Sequence, residues 1–338
     1  MCSAVAHAAR ARRVDLFLKL QQACAAEAQA ASRPITVTIQ TPHRDQEPAH
    51  VIAASHTTVP AQLMRGISNR NQIAACRVNG HLWDLMRPLT DTCHLQFLFW
   101  DTDWDYGLKE MCWHSGAHVL GAALEEVYGD DILLCDGPPV KRGAGFFYEG
   151  HLKHGQTVNT DALAQVEKHM HELCRLQHDL QRIDVTPEQA LDVFCDNPFK
   201  QHFIHRAQQQ GETSISIYKL ASFVDLCEGP HIRNLRPFSS KTIALTSTSQ
   251  AEFDWSGREE MKPDNWDTHT PLTRTYGICF PSKQMFRHWK RDVEEREKYN
   301  HSAVGKSLSI FMQHDTSPGP VTSRCRDAVA CVRACVRV

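Results

Sequence analysis

No apolar run in this chain of 338 residues is long enough to cross a membrane, since a spanning helix needs about 20 consecutive apolar residues. No secretory leader is visible. Residues 1–13 hold Arg10, Arg12 and Arg13 with no acid before Asp15, but they lack the serine-rich character of a transit peptide. An excess of charge is also missing: 37 Lys and Arg against 39 Asp and Glu leave a formal net charge of −2. That balance excludes the global basic field behind nonspecific nucleic-acid binding, so any such contact must come from local patches. Cysteine is not scarce, at 13 residues, but without a leader these read as reduced thiols of a cytoplasmic protein. Past Pro318 the text turns basic, and Cys325, Cys331 and Cys335 lack zinc-knuckle spacing. With no periodicity to organise it, that tail is expected to be disordered.

Two short pieces far apart carry most of the chemistry: HSGAH (His114 to His118) and CEGPH (Cys227 to His231). The first opens a run to Tyr128 that reads as a helix, with Leu120, Leu124 and Val127 on one stripe. His114, His118, Gly121 and Glu125 fall on the opposite stripe, where small residues beside two imidazoles leave room for a ligand. With 20 His in the chain, one such pair on a solvated face is unremarkable by itself. The second piece follows Leu220 to Leu226, which reads as a strand, and Gly229-Pro230 forces a turn. A thiol and an imidazole are thus presented at a strand end. Two uses fit both motifs: a tetrahedral zinc site, or a metal-free hydrolytic pocket in which imidazoles handle protons and a water attacks.

Around these motifs the pattern is mixed. Residues 14–31 read as a helix, Ile35 to Ile39 as a half-buried strand, and residues 59–67 as a short helix. Ile73 to Val78, Asn79-Gly80 and the following HLWDL predict a hairpin, and His94 to Phe99 a last strand. Asp161 to Leu180 is amphipathic, Thr186 to Gln189 spells a capping box, and Ser282 to Tyr299 is a charged helix buried on Met285 and Trp289.

HSGAH, then GFFYE (Gly145 to Glu149), PFK (Pro198 to Lys200) and DLCEGPH (Asp225 to His231), resembles the editing domain of threonyl-tRNA synthetases. The histidine and cysteine pairs are also similar to those of alanyl-type editing domains; order and context favour the threonyl family. TYGICFP (Thr275 to Pro281) resembles the stretch closing that domain, and VNGHLWDLMRPL (Val78 to Leu89) resembles the family's TGS domain. The resemblance runs from about Arg13 to Gly319. It implies an α+β fold class: a helical extension over 1–33, a small β-grasp (ubiquitin-like) TGS domain over 34–101, and an α+β editing domain over 107–281. A charged linker helix over 282–305 and the truncated start of a catalytic domain plus tail over 306–338 complete it.

The resemblance further implies hydrolysis of the ester of serine mischarged on threonine tRNA. One methyl group distinguishes the two amino acids, worth only about 1–3 kcal/mol in a pocket, so a second hydrolytic sieve is needed. His114 and His118 would position the terminal ribose and the water, His231 would relay a proton, and Cys227 would share its wall of the pocket without acting as nucleophile. Lys200 would stabilise developing oxyanion charge. Tyr148 and Asp225 would line the substrate pocket, Asp225 facing the substrate ammonium. Taken singly, Lys200 reads as a solvated lysine, Tyr148 as a core aromatic, Asp225 as a turn cap, and Glu125 as solvent-facing. No cofactor is required on this reading; zinc held by His114, His118, Cys227 and His231 is the alternative. The remaining alternative is a noncatalytic tRNA- or protein-binding module. Ligase activity is not expected from this chain alone, and nothing sets its oligomeric state. Glu228 stands where the family commonly has arginine, 262–271 resembles an insertion, and 300–305 departs from the family's charged linker.

Overall fold

The computed structural model describes residues 7–40, 48–140, 144–153, 160–298, 311–313 and 320–322. They divide between two compact units, Met1–Ser282 and Lys283–Val338.

Within the first unit, α1 (Ala8–Ala30) leads into β1 (Pro34–Gln40). The alternation of β1 turns Ile35, Val37 and Ile39 inward, as its period-two pattern predicts. With β2 (Ala49–Ala54), β3 (Ile73–Val78), β4 (His81–Trp83) and β5 (Cys93–Phe99) it forms a sheet of order β2-β1-β5-β3-β4. β1 runs parallel to β5 and the other pairs are antiparallel. The β3–β4 hairpin turns on Asn79 (φ 50°) and Gly80 (φ 85°), the two positive φ values that a two-residue turn demands. β2 had no sequence signal, and the expected helix over 59–67 is a short 3-10 turn, Pro60–Met64.

The histidine helix, α2 (Tyr106–Tyr128), begins two turns before His114 because the Asp105 carboxylate accepts from the Leu108 N–H at 2.8 Å. A run of buried residues from Leu108 to Glu125 covers all its sides. The alternative of a solvated histidine face is therefore overturned: α2 is a central helix. β6 (Ile132–Leu134), β7 (Phe146–Leu152), β11 (Ile243–Asp254) and β12 (His269–Cys279) make a sheet of order β11-β12-β7-β6. A second sheet, β10-β9-β8, comprises β8 (Leu180–Val185), β9 (Ile215–Leu220) and β10 (Phe223–Leu226). α2 packs against β7 and β12 of the one and β9 and β10 of the other.

Leu220 to Leu226 is thus not one strand: Ala221, at φ 53°, reverses the chain and separates β9 from β10. α3 (Thr160–Leu176) ends before Leu180, which instead opens β8. α4 (Pro187–Val193) starts at the expected capping box, in which the Thr186 hydroxyl accepts from the Gln189 N–H at 3.3 Å and the Gln189 amide oxygen accepts from the Thr186 N–H at 3.0 Å. α5 (Pro198–Gln209) is capped by Asn197, whose Oδ1 accepts from the Lys200 N–H at 3.2 Å.

Phe17 of α1 is fully buried among Ile183, Val193, Phe194, Ile217 and Val224, so the first helix completes the core beneath the β8–β9–β10 sheet. Arg13 forms a buried ion pair with Glu125 of α2, which is therefore not solvent-facing.

In the second unit α6 (Lys283–Lys298) holds Met285 and Trp289 partly covered among exposed charged residues. β13 (Phe311–Gln313) pairs with β14 (Pro320–Thr322), which corrects the expectation of disorder at 320–322. The departure at 300–305 and the rest of the tail, 323–338, lie outside the described residues. Among the described residues no helix is long and apolar enough to cross a membrane, and every cysteine is a free thiol.

Candidate functional site

All seven residues singled out from the sequence meet in one place. One turn of α2 sets His114 above His118, and the loop after β10 brings Cys227 and His231 against them. One ligand atom from each of the four lies within 4.8 Å of all the others. Cys227 Sγ is 3.3 Å from His114 Nε2 and 3.1 Å from His231 Nε2. The His231 ring lies 4.4 Å from the rings of both other histidines.

Beside this cluster sits a second, charged group. Lys200 Nζ lies 2.6 Å from Asp225 Oδ1. The Tyr148 hydroxyl donates to Asp225 Oδ2 at 2.5 Å and accepts from Lys200 Nζ at 3.3 Å. His118 Nδ1 is 3.4 Å from Asp225 Oδ2, which links the two groups. Lys200 and Asp225 are both buried, so neither is the solvated lysine or the turn cap that each resembles in isolation. Tyr148 is in the core, fully buried, and its hydroxyl is in the site as well. His114, His118, Lys200, Asp225 and Cys227 line a cavity of about 710 Å³, with Arg87, Arg182 and Arg206 also on its wall.

Gly121 of the histidine helix has a different use from the one expected. A Cβ on Gly121 would come within 2.6 Å of the Tyr148 ring and 2.9 Å of Phe223. The space over Gly121 is filled by the tyrosine that positions Asp225, and the cavity lies elsewhere beside His114 and His118.

Burial sets the protonation states. It lowers His114 to about 4 and His118 to about 3, and takes His231 well below its usual value. All three imidazoles are therefore neutral near pH 7. Burial likewise pushes the Cys227 thiol well up, assisted by the charge of Asp225, so the metal-free cysteine stays protonated and is a poor nucleophile. For Lys200 burial opposes the ammonium, but Asp225 and its hydrogen bond outweigh it and the value rises. Asp225 shows the converse: burial raises it, while Lys200, His118 and two hydrogen bonds together carry it below the usual carboxylate range.

Three imidazoles and a thiol at these separations fit a tetrahedral zinc ion, whose ligand atoms stand about 2.0–2.3 Å from the metal. The outer hydrogen bonds fit as well: the His118 ring has Asp225 behind it and the His231 Nδ1 has Ser115 Oγ at 3.2 Å, the usual support for a metal-bound imidazole. His114, His118, Cys227 and His231 would hold the ion, which would supply Lewis acidity and an acidified water.

Residues that the sequence did not flag hold the motif in shape. Ser115, inside HSGAH, donates to the Met111 carbonyl at 2.8 Å and accepts from the Ile232 N–H at 3.1 Å. Arg182 donates to the Tyr218 hydroxyl at 2.8 Å and to the Glu228 carbonyl at 2.9 Å. The side chain of Glu228 is exposed. The 262–271 stretch folds back, placing Trp266 against Phe199 at 5.2 Å, next to Lys200. Trp255 is fully buried and its Nε1 donates to Thr270 Oγ1 at 3.0 Å, a structural part.

No family model matches the chain. It is similar to the human protein named threonine–tRNA ligase 1, cytoplasmic, at 30% identity over 297 residues, covering 87% of this chain and 37% of that one. Human threonine–tRNA ligase, mitochondrial, is 33% identical over 313 residues, 91% of this chain and 40% of the relative. The Arabidopsis thaliana mitochondrial 1 form is 32% identical over 262 residues, 77% and 34% of the two chains. The chain spans about two fifths of the length of the curated relatives it matches. Its homologues are threonyl-tRNA synthetases, cytoplasmic and mitochondrial, and it corresponds to an N-terminal region of that family.

Proposed function

We propose that this chain is the editing portion of a threonyl-tRNA synthetase, hydrolysing the ester of serine mischarged on threonine tRNA. The observation that carries this reading is the buried Lys200, held by Asp225 and Tyr148 in the wall of the same cavity as His114 and His118. A buried ammonium beside neutral imidazoles is suited to acyl-ester hydrolysis.

In the step we assign, a water oxygen attacks the ester carbonyl carbon while a neutral imidazole accepts the water proton. His118 is oriented for this by the contact of its Nδ1 with Asp225, which leaves Nε2 as the accepting atom. Lys200 faces the oxyanion as it forms. The carbon–oxygen bond to the ribose then breaks, the ribose oxygen takes the proton, and free serine leaves. His114 holds the terminal ribose and the water, and His231 relays the proton. The protonated Cys227 takes no covalent part.

The order of strands in the first sheet, with β1 parallel to β5, supports assigning 34–101 to a β-grasp TGS domain. We likewise assign 1–33 to a helical extension, 107–281 to the editing domain, 282–305 to a linker helix, and 306–338 to the truncated start of a catalytic domain plus a tail. A cytosolic setting is proposed on the free thiols and on the cytoplasmic relatives.

The test is hydrolysis of Ser-tRNA and Thr-tRNA, both on threonine tRNA, by the purified chain with and without chelator. Loss of the seryl ester alone, indifferent to chelator and abolished by His114→Ala, is expected. Stability of both esters overturns the reading. A second reading, zinc-dependent hydrolysis, is favoured by the convergence of four ligand atoms within 4.8 Å; chelator-sensitive turnover with one bound zinc per chain would select it.

A further inference from the structure

We propose that Asp84, which lies outside the 107–281 region, is a positioning residue for the editing site through its hold on His231; its effect on turnover rests on the deacylase reading above. Asp84 directly follows β4 and is 4% exposed. Both of its carboxylate oxygens are turned toward the histidine cluster. Oδ1 accepts from the backbone N–H of His231, a residue 147 positions away, and Oδ2 accepts from the Tyr218 hydroxyl.

These two bonds restrain His231 in complementary ways. The first fixes the backbone at the end of the Cys227-to-His231 turn. The second fixes the Tyr218 ring, which stands edge-on to the His231 imidazole at 4.5 Å. Ser115 supplies the third restraint, at Nδ1. With backbone and ring both held, His231 Nε2 is left facing Cys227 Sγ. Arg182, 3.8 Å from Oδ2, balances the carboxylate charge and bonds the same tyrosine.

A buried carboxylate is costly without such partners, and a β-hairpin end has no need of one. Asp84 is therefore spent on a site that its own sheet does not contain. Outer partners that orient a metal-bound imidazole typically matter ~10- to 100-fold, and a loss of the same order is expected where a backbone and a ring contact together orient His231.

The experiment uses the full chain with Asp84→Ala, Asp84→Asn and Tyr218→Phe. Three readouts are taken: thermal unfolding, kcat and KM for seryl-ester hydrolysis, and the 15N NMR signals of the His231 imidazole. Asp84→Ala should lower kcat ~10- to 100-fold with KM unchanged and should move the His231 signals. Asp84→Asn, which retains an oxygen acceptor for the His231 N–H, should recover most of the loss. Should Asp84→Ala not fold, Asp84→Asn and Tyr218→Phe still report, each with a smaller loss of kcat and a displaced His231 signal. A folded Asp84→Ala with wild-type kcat and unmoved His231 signals overturns the inference. An inert wild-type chain overturns the deacylase reading instead, and the His231 signals alone then decide the positioning role.

Discussion

The Lys200 ammonium and the Asp225 carboxylate, brought from α5 and β10, meet at 2.6 Å with both side chains about 95% covered. Removing one partner strands the other in a poorly solvated place. Asp225→Asn should cost ~3–5 kcal/mol and abolish seryl-ester hydrolysis. Urea unfolding of the variant beside Lys200→Met/Asp225→Leu measures the first effect, because the double apolar replacement should recover stability but not activity. An Asp225→Asn chain as stable as wild type would refute the pair's burial.

Gly121 is the contact point between the histidine helix and Tyr148. Gly121→Ala puts a methyl within 2.6 Å of the tyrosine ring. Overpacking of this kind costs about 1–3 kcal/mol. The displaced hydroxyl should also release Asp225, so kcat should fall more than the melting temperature implies. Unchanged turnover in the alanine variant would show that Tyr148 does not hold the carboxylate.

Arg13 answers the buried Glu125, whose second oxygen Oε2 has no hydrogen-bond partner. Arg13→Ala should therefore destabilise the chain by ~3–5 kcal/mol, whereas Arg13→Met with Glu125→Leu should be close to neutral. Chemical denaturation of wild type, Arg13→Met, Glu125→Leu and the double variant closes a double-mutant cycle and gives the coupling directly.

Acid should unfold the metal-free protein through its histidines. His114 and His118 fall from 6.5 in the unfolded chain to about 4 and about 3 in the folded one. Across that window the unfolded chain binds more protons, so stability drops as pH falls from about 6.5 toward 3. The depressed carboxyl of Asp225 adds stability above its unfolded value, lost only as pH falls through its lower folded value. Denaturant midpoints at stepped pH should decline over this range, with a shallower slope in His118→Gln. A flat profile from pH 6.5 to 4 would contradict neutral burial of the imidazoles.

Local signals in the sequence located much of this arrangement. Ile35, Val37 and Ile39 alternate in the text and in the sheet, and the Thr186 capping box starts its helix as written. His114 and His118 are legible because helical spacing brings them together without help from elsewhere. Lys200, Tyr148 and Asp225 became legible only through resemblance, since the ion pair joins residues that neither periodicity nor spacing relates. Asp84 and Arg182 gave no signal at all: one follows a strand and the other lies within one, each an ordinary charged residue until the fold brings Asp84 to Tyr218 and His231 and Arg182 to Tyr218. The mistake over the faces of α2 has the same origin, because two imidazoles and a glutamate look solvent-facing until Arg13 and Asp225 are seen across from them.

Phe17 sets a timetable for synthesis. Its core partners extend from Ile183 to Val224, so α1 waits for β8, β9 and β10, which are synthesised long after it. At about 5–20 residues per second that wait is roughly 10–40 s. For that interval an apolar side chain needed at the centre of the core stands uncovered. The nascent chain is therefore open to chaperones at α1 until β10 has emerged.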